Sequence, residues 1–244
     1  MPRITVTSQD VQGGSIRLRE AAAIHHLVHV LRIRPGDAVE CIDGTGRRYD
    51  TRLSRRSNHE LLFDILRMSE EPAAGLSLWL VHALIRPERF DWLVQKATEL
   101  GVARLSPVVT DRAIVRIPAD GAAGKVARWQ RIAREAAQQC GRASLPQIDP
   151  PAAFADVLRR LPETGLILLP TLAAQTEPLR NALNRSIPSS VVLCIGPEGD
   201  FTADEVAMAR RHGALPVSLG RRILRSETAA VAVAAILQHA AGEL

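Results

Sequence analysis

Aromatic side chains make up only 3% of this 244-residue sequence, with one Tyr, four Phe and three Trp. So little ring surface leaves few platforms on which the bases of a nucleic acid could stack. Lysine is almost missing as well, since of 31 basic residues only Lys96 and Lys125 are not arginine. The three cysteines, Cys41, Cys140 and Cys194, are odd in number and far apart. That excludes a disulfide framework and a C-x-x-C metal or redox pair, and predicts buried thiols. No stretch approaches the roughly 18 consecutive apolar residues of a membrane span. Met1-Pro2-Arg3-Ile4-Thr5-Val6 begins as a strand, without the charged start and apolar stretch of a secretion signal. A cytoplasmic protein with no membrane contact is expected. There is no G-x-G-x-x-G after the first strand of the α/β region, no P-loop and no G-x-S-x-G elbow, which removes Rossmann-type, P-loop and serine-hydrolase chemistry. His25 and His29 have zinc-ligand spacing, but no Cys and no H-E-x-x-H accompanies them, so no metal is expected.

What remains is an ordinary globular composition, 46% hydrophobic and 23% charged, with a formal net charge of +5. A basic surface favours an anionic polymer as partner. Two domains are expected. Residues 1–69 alternate short strands with turns such as Arg34-Pro35-Gly36-Asp37 and contain one helix, over 20–31, which together suggest a small β-barrel. Residues 69–75 carry Pro and Gly without periodicity and read as a linker. From residue 73 to 244, apolar strand runs at 77–84, 103–109, 166–169, 191–195 and 216–219 alternate with helices, the pattern of an α/β domain with a mostly parallel sheet. The helix over 124–140 should turn Val126, Trp129, Ile132, Ala133, Ala136 and Cys140 inward.

The last three runs end in loops of special composition, where open α/β sheets place ligands. Ile195-Gly196-Pro197-Glu198-Gly199-Asp200-Phe201 precedes a helix opened by the capping box Thr202 to Glu205. Its two glycines suit either a plain turn or a loop whose backbone approaches a ligand. Arg221, Arg222 and Arg225 follow Leu219-Gly220, with Ser226 expected to cap an apolar final helix. They form either a solvated charge run or a polyanion contact. In the first domain Arg32, Arg34, Arg47, Arg48, Arg52, Arg55 and Arg56 form a basic edge suited to phosphate and shape contacts with RNA.

Four strings, in order over nearly the whole chain, resemble the RsmE family of ribosomal RNA small subunit methyltransferases. They are His26-Leu27-Val28-His29-Val30-Leu31-Arg32 with Pro35-Gly36-Asp37, Gln95 to Val102, Gly196-Pro197-Glu198-Gly199, and Leu219 to Ala229. The resemblance implies a PUA-like RNA-binding β-barrel over 1–69. It also implies a SPOUT-type methyltransferase domain over 73–244, an α/β fold threaded into a deep trefoil knot. It implies S-adenosyl-L-methionine as cofactor, methylation of N3 of a uridine in 16S rRNA on the small ribosomal subunit, and a homodimer. The donor would lie among Leu169, Pro170 and Thr171, then Ile195, Gly196, Pro197 and Gly199, then Leu219, Gly220, Ile223, Leu224 and Thr228. Arg32, Arg34, Arg47, Arg48, Arg112, Arg142, Arg221 and Arg222 would meet RNA. Arg225 is the expected stabiliser of charge developing on the base, and Glu198 and Glu227 the alternative proton acceptors, Glu227 with Arg225 or Arg222 as its rival partner. Many relatives carry a second glycine where this chain has Asp200, a lysine at Arg86 and a glutamate at Asp111. A non-catalytic RNA-binding or ribosome-assembly protein is the alternative, and it leaves the three loops unexplained.

Overall fold

A computed structural model of the chain describes all residues except 58, 116–118, 163–164, 174 and 185–187, and the side chains of all described residues but 119 and 120. It divides into two compact units, residues 1–73 with 134–145, and residues 74–133 with 146–244.

The first unit holds β1 (Arg3–Thr5), β2 (Val11–Gln12), β3 (Ser15–Leu18), α1 (Ala21–His25), β4 (Ala38–Ile42), β5 (Arg47–Arg56) and β6 (Leu61–Glu70). They form one sheet in the order β1-β4-β5-β6-β3-β2, antiparallel except for the parallel pair of β1 and β4. In β5 the side chains alternate, with Tyr49, Thr51 and Leu53 buried and Asp50, Arg52 and Ser54 exposed. Tyr49 and Leu53 pack with Ile16, Leu18, Leu61 and Phe63. The helix expected over 20–31 is shorter, since α1 passes at His26 into a π-helical turn ending at Val30. Arg32 then reverses the chain at φ 56°. β6 runs on to Glu70, into the expected linker, because Ser69 and Glu70 pair with Arg48 and Arg47.

The second unit contains β7 (Ser77–Ala83), α2 (Pro87–Glu99), β8 (Arg104–Val109), most of α3 (Ala119–Cys140), β9 (Gln147–Ile148), β10 (Ala152–Ala153) and α4 (Phe154–Leu158). It continues with β11 (Leu166–Pro170), β12 (Glu177–Pro178), α5 (Leu179–Leu183), β13 (Ser190–Ile195), α6 (Ala203–Arg211), β14 (Leu215–Ser218) and α7 (Ser226–Ala240). The sheet order is β10-β8-β7-β13-β11-β14-β12 with β9 also beside β8, and every described pairing in it is parallel.

Helices cover both faces, which is why the strands read as unbroken apolar runs. Leu78, Leu80, Val191, Leu193 and Ile195 face the cluster containing α2 and α7, while Val81, Ala83, Val192 and Cys194 face α4 and α6. Burial pushes the thiols of Cys41 and Cys194 up to about 12, which makes them inert. Cys140 departs from its expected inward place: it is exposed at the end of α3, where Ala133, Ala136 and Ala137 take the buried positions.

Candidate active site

Adjacent parallel strands β13, β11 and β14 send their carboxyl ends to the same edge of the sheet. The loops that leave them line one cavity of about 250 Å³, room for a small organic molecule. Pro170 and Thr171 come from the first loop, Ile195, Gly196 and Pro197 from the second, and Leu219, Gly220, Ile223 and Leu224 from the third. Leu169 is fully buried in the core, and Thr228 is exposed on α7. Gly199 is also off the lining, its carbonyl accepting from Nη1 of Arg112 at 2.9 Å.

The second loop is shaped by packing on both sides. A Cβ on Gly196 would stand 3.1 Å from the Phe201 ring, tight enough that the ring would have to give way by a few tenths of an ångström. The capping box forms as the spacing requires, Thr202 Oγ1 accepting from Glu205 N at 3.2 Å and Glu205 Oε2 from Thr202 N at 2.8 Å. The other Glu205 oxygen accepts from Asp111 N at 2.9 Å, which ties the loop after β8 to α6.

Ser226 does not cap α7: Arg225 is the N-cap residue, and the Ser226 hydroxyl is turned away to donate to the carbonyl of Gly196. The same hydroxyl lies 3.3 Å from Nε2 of His82. Nδ1 of His82 faces the Ala83 carbonyl at 2.7 Å, and because a carbonyl only accepts, the neutral ring carries its proton there. Burial is the main cause that lowers the His82 pKa to about 4. The neutral imidazole therefore packs against Ser226, which lines the cavity.

Among the residues expected to do chemistry, Glu198 and Arg225 line the cavity and Glu227 lies outside its lining. Glu227 pairs with neither Arg225 nor Arg222; its partner is Arg89 of α2, whose Nε is 3.7 Å from Glu227 Oε1 and whose Nη1 is 3.6 Å from Glu198 Oε1. The second oxygen of Glu227 is buried and has no hydrogen-bond partner among the described residues. Arg89 had no signal in the sequence, because a single arginine on an amphipathic helix reads as solvated surface.

A family model for an RNA methyltransferase domain matches residues 72–238, and one for an RNA methyltransferase PUA domain matches residues 18–66. A ribosomal RNA small subunit methyltransferase E of Synechocystis is 34% identical over 93% of this chain and 74% of its own length. The chain belongs to the RsmE family. The Bacillus subtilis relative of the same name is 28% identical, over 93% of this chain and 91% of its own. A crystal structure of a ribosomal RNA small subunit methyltransferase E from Neisseria gonorrhoeae, bound to S-adenosyl methionine, superposes with a TM-score of 0.86 at 33% identity, covering 98% of this chain and 97% of that one. An RsmE fold, with a PUA domain ahead of a mostly parallel α/β domain, is thus established for this chain.

The arginines expected to meet RNA in this RsmE chain fall into two groups. Arg47 pairs with Glu70 at 3.5 Å, and Arg48 bridges Glu40 at 3.2 Å and Glu71 at 2.9 Å. Arg112 serves the Gly199 carbonyl, and Arg142, part-buried, donates to the Ser144 hydroxyl at 3.2 Å. Arg32, Arg34, Arg221 and Arg222 are exposed and, among the described residues, have no ion-pair partner.

Proposed function

We propose that this chain transfers a methyl group from S-adenosyl-L-methionine to N3 of a uridine in 16S rRNA, on the small ribosomal subunit in the cytoplasm, and that it acts as a homodimer. The observation that carries the reading is the meeting of three strand-end loops on one small cavity rimmed by two arginines and two carboxylates.

The residues present fit the donor. Ile195, Leu219, Leu224 and Ala229 give an apolar wall for an aromatic base. The main-chain N–H groups of Ile223 and Leu224 have no acceptor among the described residues and are available to a polar ligand. Gly220, at φ 107°, faces open space where a Cβ would stand. Bound there, S-adenosyl-L-methionine supplies a sulfonium methyl, an electrophile that needs no further activation.

The rest of the chemistry falls to the chain. Pro170 and Thr171, Ile195 to Pro197, and Leu219 to Leu224 hold the donor, so that positioning supplies most of the rate. Uracil N3 carries a proton that must leave. Arg225, exposed beside the cavity, stabilises negative charge developing on a uracil carbonyl. Glu198 lines the cavity and is the proton acceptor, while Arg89 between Glu198 and Glu227 keeps both carboxylates oriented. Arg221 and Arg222 contact the RNA backbone beside the cavity, and Arg32 and Arg34 do so on the first unit. Domain limits at 1–69 and 73–244, and threading of the chain through a trefoil knot, belong to the same reading. The homodimer would cover the outer side of α7, where Ile236 is 44% exposed.

Titration with S-adenosyl-L-methionine by calorimetry, followed by mass analysis of nucleosides from methylated small subunits, tests the reading. Micromolar binding abolished by Gly220→Arg and a product of 3-methyluridine are expected. No binding in the presence and absence of subunits overturns it in favour of a non-catalytic RNA-binding protein.

A further inference from the structure

Asp200 follows Gly199 at φ 60°, in the left-handed region that residues with a Cβ seldom occupy. Such a conformation persists where the surroundings over-determine it. Here the main chain makes a turn, Asp200 N donating to the Pro197 carbonyl at 3.0 Å. A glycine would make that turn without strain, so the side chain must answer to something else.

Its carboxylate answers to another loop. Oδ2 accepts from Leu172 N at 2.7 Å and from Thr171 Oγ1 at 2.8 Å, while Oδ1 accepts from Phe201 N at 2.8 Å. Thr171 Oγ1 in turn accepts from Ala173 N at 3.2 Å, which extends the connection along the first loop. Bonds to an ionised acceptor at these lengths are the strong kind. Thr171, Leu172 and Asp200 all line the cavity. We infer that Asp200 is a positioning residue of the donor site, a clamp whose carboxylate fastens the loop after β11 to the loop after β13 and fixes the spacing of two cavity walls.

The inference rests on reading the cavity as the donor site, and the clamp can be measured without donor. Hydrogen exchange by NMR on the donor-free chain is compared for wild type, Asp200→Gly and Asp200→Asn, together with donor affinity by calorimetry. In Asp200→Gly the Leu172 amide is expected to exchange about tenfold faster while the amides of β13 and α6 keep their protection. The donor Kd is expected to rise about tenfold. Asp200→Asn, which retains one acceptor oxygen for Leu172, should lie between. The loss of activity in Asp200→Gly should appear as a raised KM for the donor. Unchanged Leu172 exchange, or an unchanged donor Kd, overturns the clamp. Loss of protection spread evenly over β13 and α6 reduces Asp200 to a general stabiliser and also overturns it. A wild-type chain that binds no donor but loses Leu172 protection on Asp200→Gly overturns instead the donor reading of the cavity, and with it the purpose given to the clamp.

Discussion

In the first unit charge lies on the surface and is largely answered across the sheet: Arg47 by Glu70, Arg48 by Glu40 and Glu71, Arg55 by Glu60. In the second unit polar groups are drawn inside, where His82, Ser226, Glu227 and Glu205 are buried at the ends of strands and helices. Exposed ion pairs contribute little to stability and leave an electrostatic surface that salt can tune. Buried polar groups are expensive unless partnered, and they persist where geometry must be held. The first arrangement suits a grip on a polyanion and the second a chemical site. Glu71 shows the same economy within the first unit: burial would raise its pKa, yet the N–H groups of Ala143 and Ser144 and the charge of Arg48 hold it below the ordinary carboxylate range.

The contrast can be broken by unfolding one unit. Phe63→Ala empties a fully buried site in the first unit and should cost about 4 kcal/mol in chemical denaturation. Donor affinity should survive if each core stands by itself. Arg225→Ala should lower methyl transfer about a hundredfold, roughly 3 kcal/mol of transition-state stabilisation, with the donor Kd and melting temperature unchanged. Equal turnover in the variant would remove its electrostatic role.

His82 sharpens the contrast through pH. Its folded pKa is depressed to about 4 from the ordinary histidine value of 6.5, so between those values the unfolded chain binds a proton that the folded chain refuses. Stability is therefore lost as pH falls from about 6.5 to 4, by on the order of 3 kcal/mol from this group. Denaturant titrations of His82→Gln over that range should show a shallower pH slope than wild type. The smallest effect belongs to the first unit's surface: Arg32→Ala with Arg34→Ala should weaken RNA binding without altering donor affinity. It should also reduce the salt slope of binding by about one for each phosphate no longer neutralised.

Local features were legible in the sequence. The capping box at Thr202 and Glu205, the strand ending at Ile195, and the alternation of the α/β region all rest on residues within a few positions of one another. Nine of the twelve residues that the family resemblance put at the donor line the cavity, in loops that also stand out by composition. What stayed hidden depends on partners far away in the chain. Only Gly196, 30 residues from Ser226, explains why that hydroxyl is not a cap. Arg89 reaches Glu198 and Glu227 across the sheet order. The basic count around Arg47 to Arg56 overlooked Glu40, Glu60, Glu70 and Glu71, which the strand register brings alongside. Asp200 looked like a departure from a glycine, and its function emerged only with Thr171 and Leu172 in place.

Among the described residues the parallel sheet finishes on both sides in fragments two residues long, Gln147–Ile148 and Ala152–Ala153 at one border and Glu177–Pro178 at the other. Pro178 has no N–H to offer, and the glutamate beside it brings a charge. A sheet with apolar interior strands would otherwise invite a second chain to add itself by hydrogen bonding, a hazard while such long-range pairings assemble slowly during synthesis. These stubs leave almost no template on which a fibril could begin.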